Sequence, residues 1–257
     1  MALGTSGGLL VVSLDIDGDS SNGRAGAATE SATKRLLEVL QRRQVAATFA
    51  MAHPGANKLA ETVTASELGH EVAVLGDSSW VGARAGRTRF ARELAWRVRR
   101  ASDAGLTIRS LALSDGTLDD HLDLLVKHRI GAIREATDAP PHPSRVIRPQ
   151  LFRYGIWKAA VTCRLPSPGR LWKSADGLVA TALKRAATHG EVVHLAIDVA
   201  KMAGDEQPTL LSLGRALDRA EMLRTAGRMN VCTLSAAVWE LSRVEASRRS
   251  QSVLRAA

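Results

Sequence analysis

The run Val11-Val12-Ser13-Leu14-Asp15-Ile16-Asp17-Gly18-Asp19 carries an apolar, β-branched segment straight into a cluster of carboxylates. Side chains on a strand alternate between faces, so Asp15 and Asp17 project the same way from its C-terminal end. Like charges at that spacing push up each other's pKa unless a cation or a hydrogen-bond donor lies between them. A metal ion held by oxygen ligands, or a general base beside a metal ligand, is the chemistry that uses such a pair. The alternative is structural: Asp17, Gly18 and Asp19 have the composition of an Asx turn whose acids simply reach water.

The elements that would position these acids alternate along nearly the whole chain. Strands are expected at Leu9–Asp15, Ala46–Ala50, Glu71–Leu75, Arg109–Leu113, Gly131–Arg134, Val192–Ile197 and Asn230–Thr233, from short runs rich in β-branched or small apolar residues. Between them, Leu36, Leu37 and Leu40 share one helical face, and Phe90, Leu94 and Val98 recur every four residues before Gly105; Leu118, Leu122 and Leu125 repeat the pattern. Gly69 and Gly190 stand where a helix would end in a left-handed residue. Such alternation predicts β/α units around a largely parallel sheet, here seven strands in an incomplete barrel. Residues 135–174, with Pro140, Pro141, Pro143, Pro149, Pro166 and Pro168, read as a long irregular excursion over one end of the sheet. A last helix is expected from Ser235, fraying after Arg248, so that one domain spans residues 1–245 and a basic tail 246–257.

Composition narrows the partners. The chain of 257 residues is 45% apolar and 24% charged, which suits one globular domain. Its net charge of +9 comes mainly from arginine and favours anionic partners. With only 4% aromatic residues, however, there is little to build a base-stacking platform, so nucleic acid is not the expected partner and a solvated basic face is. Cys163 and Cys232 lack the paired spacing of a zinc site or disulfide frame and read as reduced, non-catalytic thiols. The apolar stretch Leu9–Leu14 is far short of a membrane span and follows no basic segment of the secretory kind, so a cytoplasmic location is expected.

A D-x-D-G string also opens phosphatases of the haloacid dehalogenase type, and many glycosyltransferases carry D-x-D. In the former a threonine or valine follows the glycine, where this chain has Asp19. Downstream residues point elsewhere. The segment Leu36–Phe49 resembles a first helix running into an A-T-F strand, and Leu68-Gly69-His70-Glu71-Val72 is similar to a G-H-E-I strand start. Gly131-Ala132-Ile133-Arg134 and Gly190-Glu191-Val192-Val193-His194-Leu195 extend the pattern. With these motifs the chain resembles the polysaccharide deacetylase family, the NodB-homology carbohydrate esterases, over nearly its full length. The resemblance implies an α/β fold, a distorted seven-stranded (β/α) barrel, and hydrolysis of N-acetyl groups on a carbohydrate. It further implies a divalent metal (zinc, manganese or magnesium), with Asp15 as general base and Asp17 as metal ligand.

Several motif positions depart from the family. Leu75 and Ser79 stand where the two metal histidines belong, with Asp77 between them as the nearest oxygen donor. Leu113-Ser114-Asp115-Gly116 stands where an arginine should brace the catalytic aspartate, and Asp198 takes the place of the catalytic histidine. Two expectations follow. In one, Asp15, Asp17, Asp77, Asp115 and Asp198 gather at the C-terminal rim and hold a hard cation for a divergent hydrolase. In the other, the barrel is catalytically silent and binds a glycan, a lipid-linked sugar or a protein partner. His70 reads as structural, and His194 as packed in the barrel wall before it reads as catalytic. Trp80 and Trp157 could stack on a sugar ring or anchor packing.

Overall fold

The computed structural model describes residues 7–17, 23–56, 58–82, 85–136, 149–166 and 175–256. At its centre is β1 (Gly8–Ile16), every residue of which is buried. It is flanked by the parallel strands β2 (Thr48–Met51) and β9 (Val192–Asp198). Beyond β2 follow β3 (Glu71–Gly76), β4 (Ser110–Leu113) and β5 (Ala132–Glu135), all parallel. The short strand β10 (Met229–Cys232) adds to the first half of β1. All seven expected strands are therefore present.

Residues 135–174 are not simply irregular, because they also contain β6 (Gln150–Leu151), β7 (Trp157–Ala160) and β8 (Cys163–Leu165). β7 pairs with β5, and β8, only two residues further on, pairs with β9. This one broken strand thus joins the two ends of the parallel sheet and completes the ring of a distorted (β/α) barrel. It escaped the sequence reading because its halves are short, prolines flank it, and Lys158 and Arg164 interrupt any apolar pattern. Residues 137–148 and 167–174 of the excursion lie outside the described residues.

Helices clothe the outside: α1 (Gly23–Arg42), α2 (Lys58–Thr64), α3 (Gly86–Asp103), α4 (Leu122–Lys127), α5 (Ala175–His189), α6 (Val199–Met202) and α7 (Glu206–Thr225). Leu10, Val12, Leu14 and Ile16 of β1 join the large apolar core, which includes residues of these helices. Each fully buried leucine there contributes about 1.5–3 kcal/mol. Leu9 and Val11 form a second cluster with Ala132, Ala159, Leu234 and Ala237, inside the lower barrel. The final helix α8 (Leu234–Ala256) starts in that cluster and runs on through the basic residues expected to form a frayed tail.

Two side chains, the buried Thr48 and the partly buried Glu71, receive the first turn of α8. The Leu234 backbone N–H donates to Thr48 Oγ1 at 2.8 Å and that of Ser235 to Glu71 Oε2 at 3.0 Å. A carboxylate at a helix N-terminus answers both the orphan amides and the helix dipole. Among the described residues no helix is long and apolar enough to cross a membrane.

Candidate functional site

In a parallel barrel all strands deliver their C-terminal residues to one mouth, and Asp15 arrives there at the end of β1. It is 4% exposed and does not stand alone. Arg134, from β5 and fully buried, grips both carboxylate oxygens, with Nη2 at 2.9 Å from Oδ2. Arg164, from β8, adds a third contact, Nη1 to Oδ2 at 3.2 Å. In a flat sheet β5 would lie four strand spacings from β1, on the order of 19 Å. The bidentate pair exists only because the sheet curls.

Below the mouth the same guanidinium enters a buried polar chain. Arg134 Nη1 donates to Ser13 Oγ at 2.8 Å, and Nη2 donates to the Leu113 carbonyl at 3.0 Å. Ser13 Oγ lies 2.9 Å from His194 Nε2. Arginine can only donate, so Ser13 Oγ accepts from Arg134, and its further hydrogen bond is with His194 Nε2, in the direction the histidine tautomer sets. His194 Nδ1 is buried without a hydrogen-bond partner. Burial holds His194 well below the ordinary histidine range, and the positive charges of Arg134 and Arg164 push it the same way. His194 is therefore a neutral member of the barrel wall.

The other acids are committed locally. Asp198, paired in register with Asp15, caps α6 by accepting from the Lys201 backbone N–H at 3.1 Å and ion-pairs with its Nζ at 2.8 Å. Asp77 accepts from the Ser79 backbone N–H at 2.7 Å in an Asx turn. Asp115 accepts from the backbone N–H and hydroxyl of Ser78 at 2.7 and 2.6 Å, tying the end of β4 to that of β3. Asp17 is exposed just beyond β1, and Asp19 lies outside the described residues.

Among the described residues no group of three or more His, Cys, Asp or Glu side chains is placed to hold a metal ion. Leu75 packs with Ala50, Ala73 and Ala112 in an apolar layer, and the nearest buried carboxylate already carries two cations. This donor set does not fit the divalent metal implied by the resemblance. The reading of Leu113–Gly116 as a lost brace needs correcting. The arginine comes from β5, one strand later, and the third motif contributes the Leu113 carbonyl that steadies it.

The remaining candidates are structural. Trp80 is 2% exposed, stacked on Phe90 at 5.9 Å and covered by the Arg97 guanidinium at 4.3 Å, so its face is not offered to a sugar. Trp157 is buried and donates to Ser242 Oγ at 2.8 Å. His70 Nδ1 accepts from the Ala47 backbone N–H at 3.0 Å and its ring meets Phe49 edge-on; burial lowers its pKa. Burial pushes the Cys163 and Cys232 thiols up to about 11 and about 12, which keeps them protonated. Sequence reasoning passed over Ser13 and Arg164. Ser13 shares the strand parity of Asp15, which is a usable signal, while Arg164 sits in a segment whose strand was not recognised.

No protein-family model matches the sequence, and no curated protein matches it. Solved structures do. A protein assigned as a polysaccharide deacetylase from Mycobacterium smegmatis superposes with a TM-score of 0.64 at 16% identity, over 94% of this chain and 92% of that one. A family 4 acetyl xylan esterase from Clostridium thermocellum, in complex with a cobalt ion, gives 0.51 at 14% identity over 91% of each chain. A 4-alpha-glucanotransferase from Thermococcus litoralis gives 0.56 at 12% identity, over 89% of this chain and 39% of that one. The chain thus has the distorted (β/α) barrel fold of the polysaccharide deacetylases and family 4 carbohydrate esterases.

Proposed function

We propose that this chain is a polysaccharide deacetylase-like protein whose barrel mouth receives an N-acetylated carbohydrate and holds it without metal-dependent hydrolysis. The observation that carries this reading is the double clamp on Asp15. A carboxylate offers about four lone-pair directions, and Arg134 and Arg164 occupy three of them. Two guanidinium charges beside the buried Asp15 also oppose a cation at that point. Arg164, with its side chain 24% exposed, is the member of the clamp that a ligand reaches, and its planar donors suit a sugar hydroxyl or an acetyl carbonyl.

One observation favours hydrolysis instead. An arginine brace on the aspartate is what the family resemblance assigns to the catalytic base, and Arg134 supplies it. The two readings separate in one experiment with N-acetylglucosamine oligomers, followed by calorimetry and by acetate release with and without zinc, manganese or magnesium. The expected result is binding that Arg164→Ala weakens roughly tenfold, the loss of one charge-assisted hydrogen bond. Acetate release should stay at the blank. Metal-stimulated release that Asp15→Asn abolishes would establish the hydrolase and overturn the binding-only reading.

A further inference from the structure

The end of the barrel away from Asp15 carries a second concavity. A cavity of about 610 Å³ opens between α3, the N-terminal approaches to β4 and β5, and α8. That is within the range of small-molecule pockets, roughly 300–1,000 Å³. Its floor is apolar, with Leu106 and Ile108 buried and Val238 partly so. Trp239, on the α8 wall, is 61% exposed beside that floor, with the Arg243 guanidinium over one side of its ring at 5.3 Å and the rest of the indole open to a ligand. Arg109 and Arg129 stand at the edge, both exposed and neither ion-paired with a described residue. Among the described residues no carboxylate lines the cavity.

Each feature selects part of a ligand. An exposed indole next to aliphatic side chains favours a flat, largely apolar partner that covers both. Two guanidinium groups without counter-charges favour an anion, which they can bind through charge-assisted, bidentate hydrogen bonds. We propose that this cleft is a binding site for an anionic small molecule with an aromatic ring, the ring on Trp239 and the anionic group between Arg109 and Arg129. The site is independent of the barrel mouth and of the carbohydrate reading made there. The anion has two natural sources, an aromatic carboxylate and a nucleotide phosphate.

The test titrates the intact protein with naphthoate and with adenosine monophosphate, beside their neutral counterparts naphthalenemethanol and adenosine. Calorimetry and tryptophan fluorescence report binding. At least one anion should bind, at least roughly tenfold more tightly than its neutral counterpart, and more weakly as salt rises. Naphthoate alone would identify a carboxylate ligand, and adenosine monophosphate alone a phosphate. Trp239→Ala and the double change Arg109→Ala with Arg129→Ala alter exposed positions, and circular dichroism checks their fold. Each should weaken binding roughly tenfold or more. No binding of either anion at millimolar concentration would overturn the proposal. So would equal binding of the neutral counterparts, or binding that survives both variants.

Discussion

Arg134 is the residue on which the upper barrel depends. It is buried with Asp15, and the pair is shared with Ser13 and the Leu113 carbonyl. Removing one partner of a buried ion pair costs about 3–5 kcal/mol when the other is left uncompensated, and because Asp15 would keep the longer contact to Arg164 the low end of that range, about 3 kcal/mol, applies. Arg134→Ala should therefore lower the unfolding free energy by about that amount in a denaturant titration, and changing Asp15 to Leu as well should restore part of it. His194 supplies a pH signature. Its folded pKa lies well below 6.5, so the unfolded chain takes up a proton that the native barrel refuses. Stability then falls as pH drops below about 6.5 towards the folded pKa, and is unaffected by this residue above that point. His70 and His128, also lowered by burial, add to the same slope. Melting curves between neutral pH and pH 5 should show the decline, and His194→Gln should flatten it.

Among the elements, α8 shows how the lower barrel is closed. Glu71 accepts from Thr48 Oγ1 at 3.0 Å, from Ser110 Oγ and from the Ser235 backbone N–H. One carboxylate thus gathers β2, β3 and β4 around the first turn of a helix that arrives from the far end of the chain. Glu71→Ala would strip that turn of its anion and leave buried hydroxyls without an acceptor. A loss of about 2 kcal/mol is expected, with faster hydrogen exchange at the amides of Leu234 and Ser235. Unchanged exchange there would mean that the apolar contacts of Leu234 and Ala237 hold the helix start unaided. At the other end, Gly76 terminates β3 under tight constraint. A Cβ there would lie 2.7 Å from Val81 Cγ2 and 3.1 Å from Trp80 Cζ2, which lets the Asp77 turn fold Trp80 back onto the barrel.

At the scale of the molecule, the fold is shared with deacetylases and esterases and also with a glucanotransferase, so the barrel does not by itself dictate a reaction. Inside the mouth of this chain two guanidinium groups hold the buried carboxylate of Asp15. Zinc, manganese or magnesium at about a hundred times a functional dissociation constant would stabilise a metal-binding native state by about 2.7 kcal/mol. No rise in melting temperature is expected from these ions, and a chelator should leave the melt unchanged. A rise of several degrees that Asp17→Ala removes would show that the exposed acids of the rim form a metal site after all.

The sequence by itself determined the parallel β/α alternation, the seven strands around β1 and the arrival of Asp15 at a strand end, because those follow from local periodicity and glycine punctuation. It also showed a leucine and a serine, Leu75 and Ser79, where the resemblance implies metal histidines. It could not reveal the closing strand, whose pairing with β5 and β9 is non-local and whose residues carry charges. Nor could it assign the brace. Arg134 and Asp15 are separated by most of the first half of the chain, and only the curl of the sheet brings their side chains into contact. The tertiary structure alone decided that Asp77 and Asp198 turn to backbone N–H groups two and three residues on, and that Asp115 reaches across to Ser78 at the neighbouring strand end, because a donor already within hydrogen-bond reach satisfies each carboxylate without a shared cation.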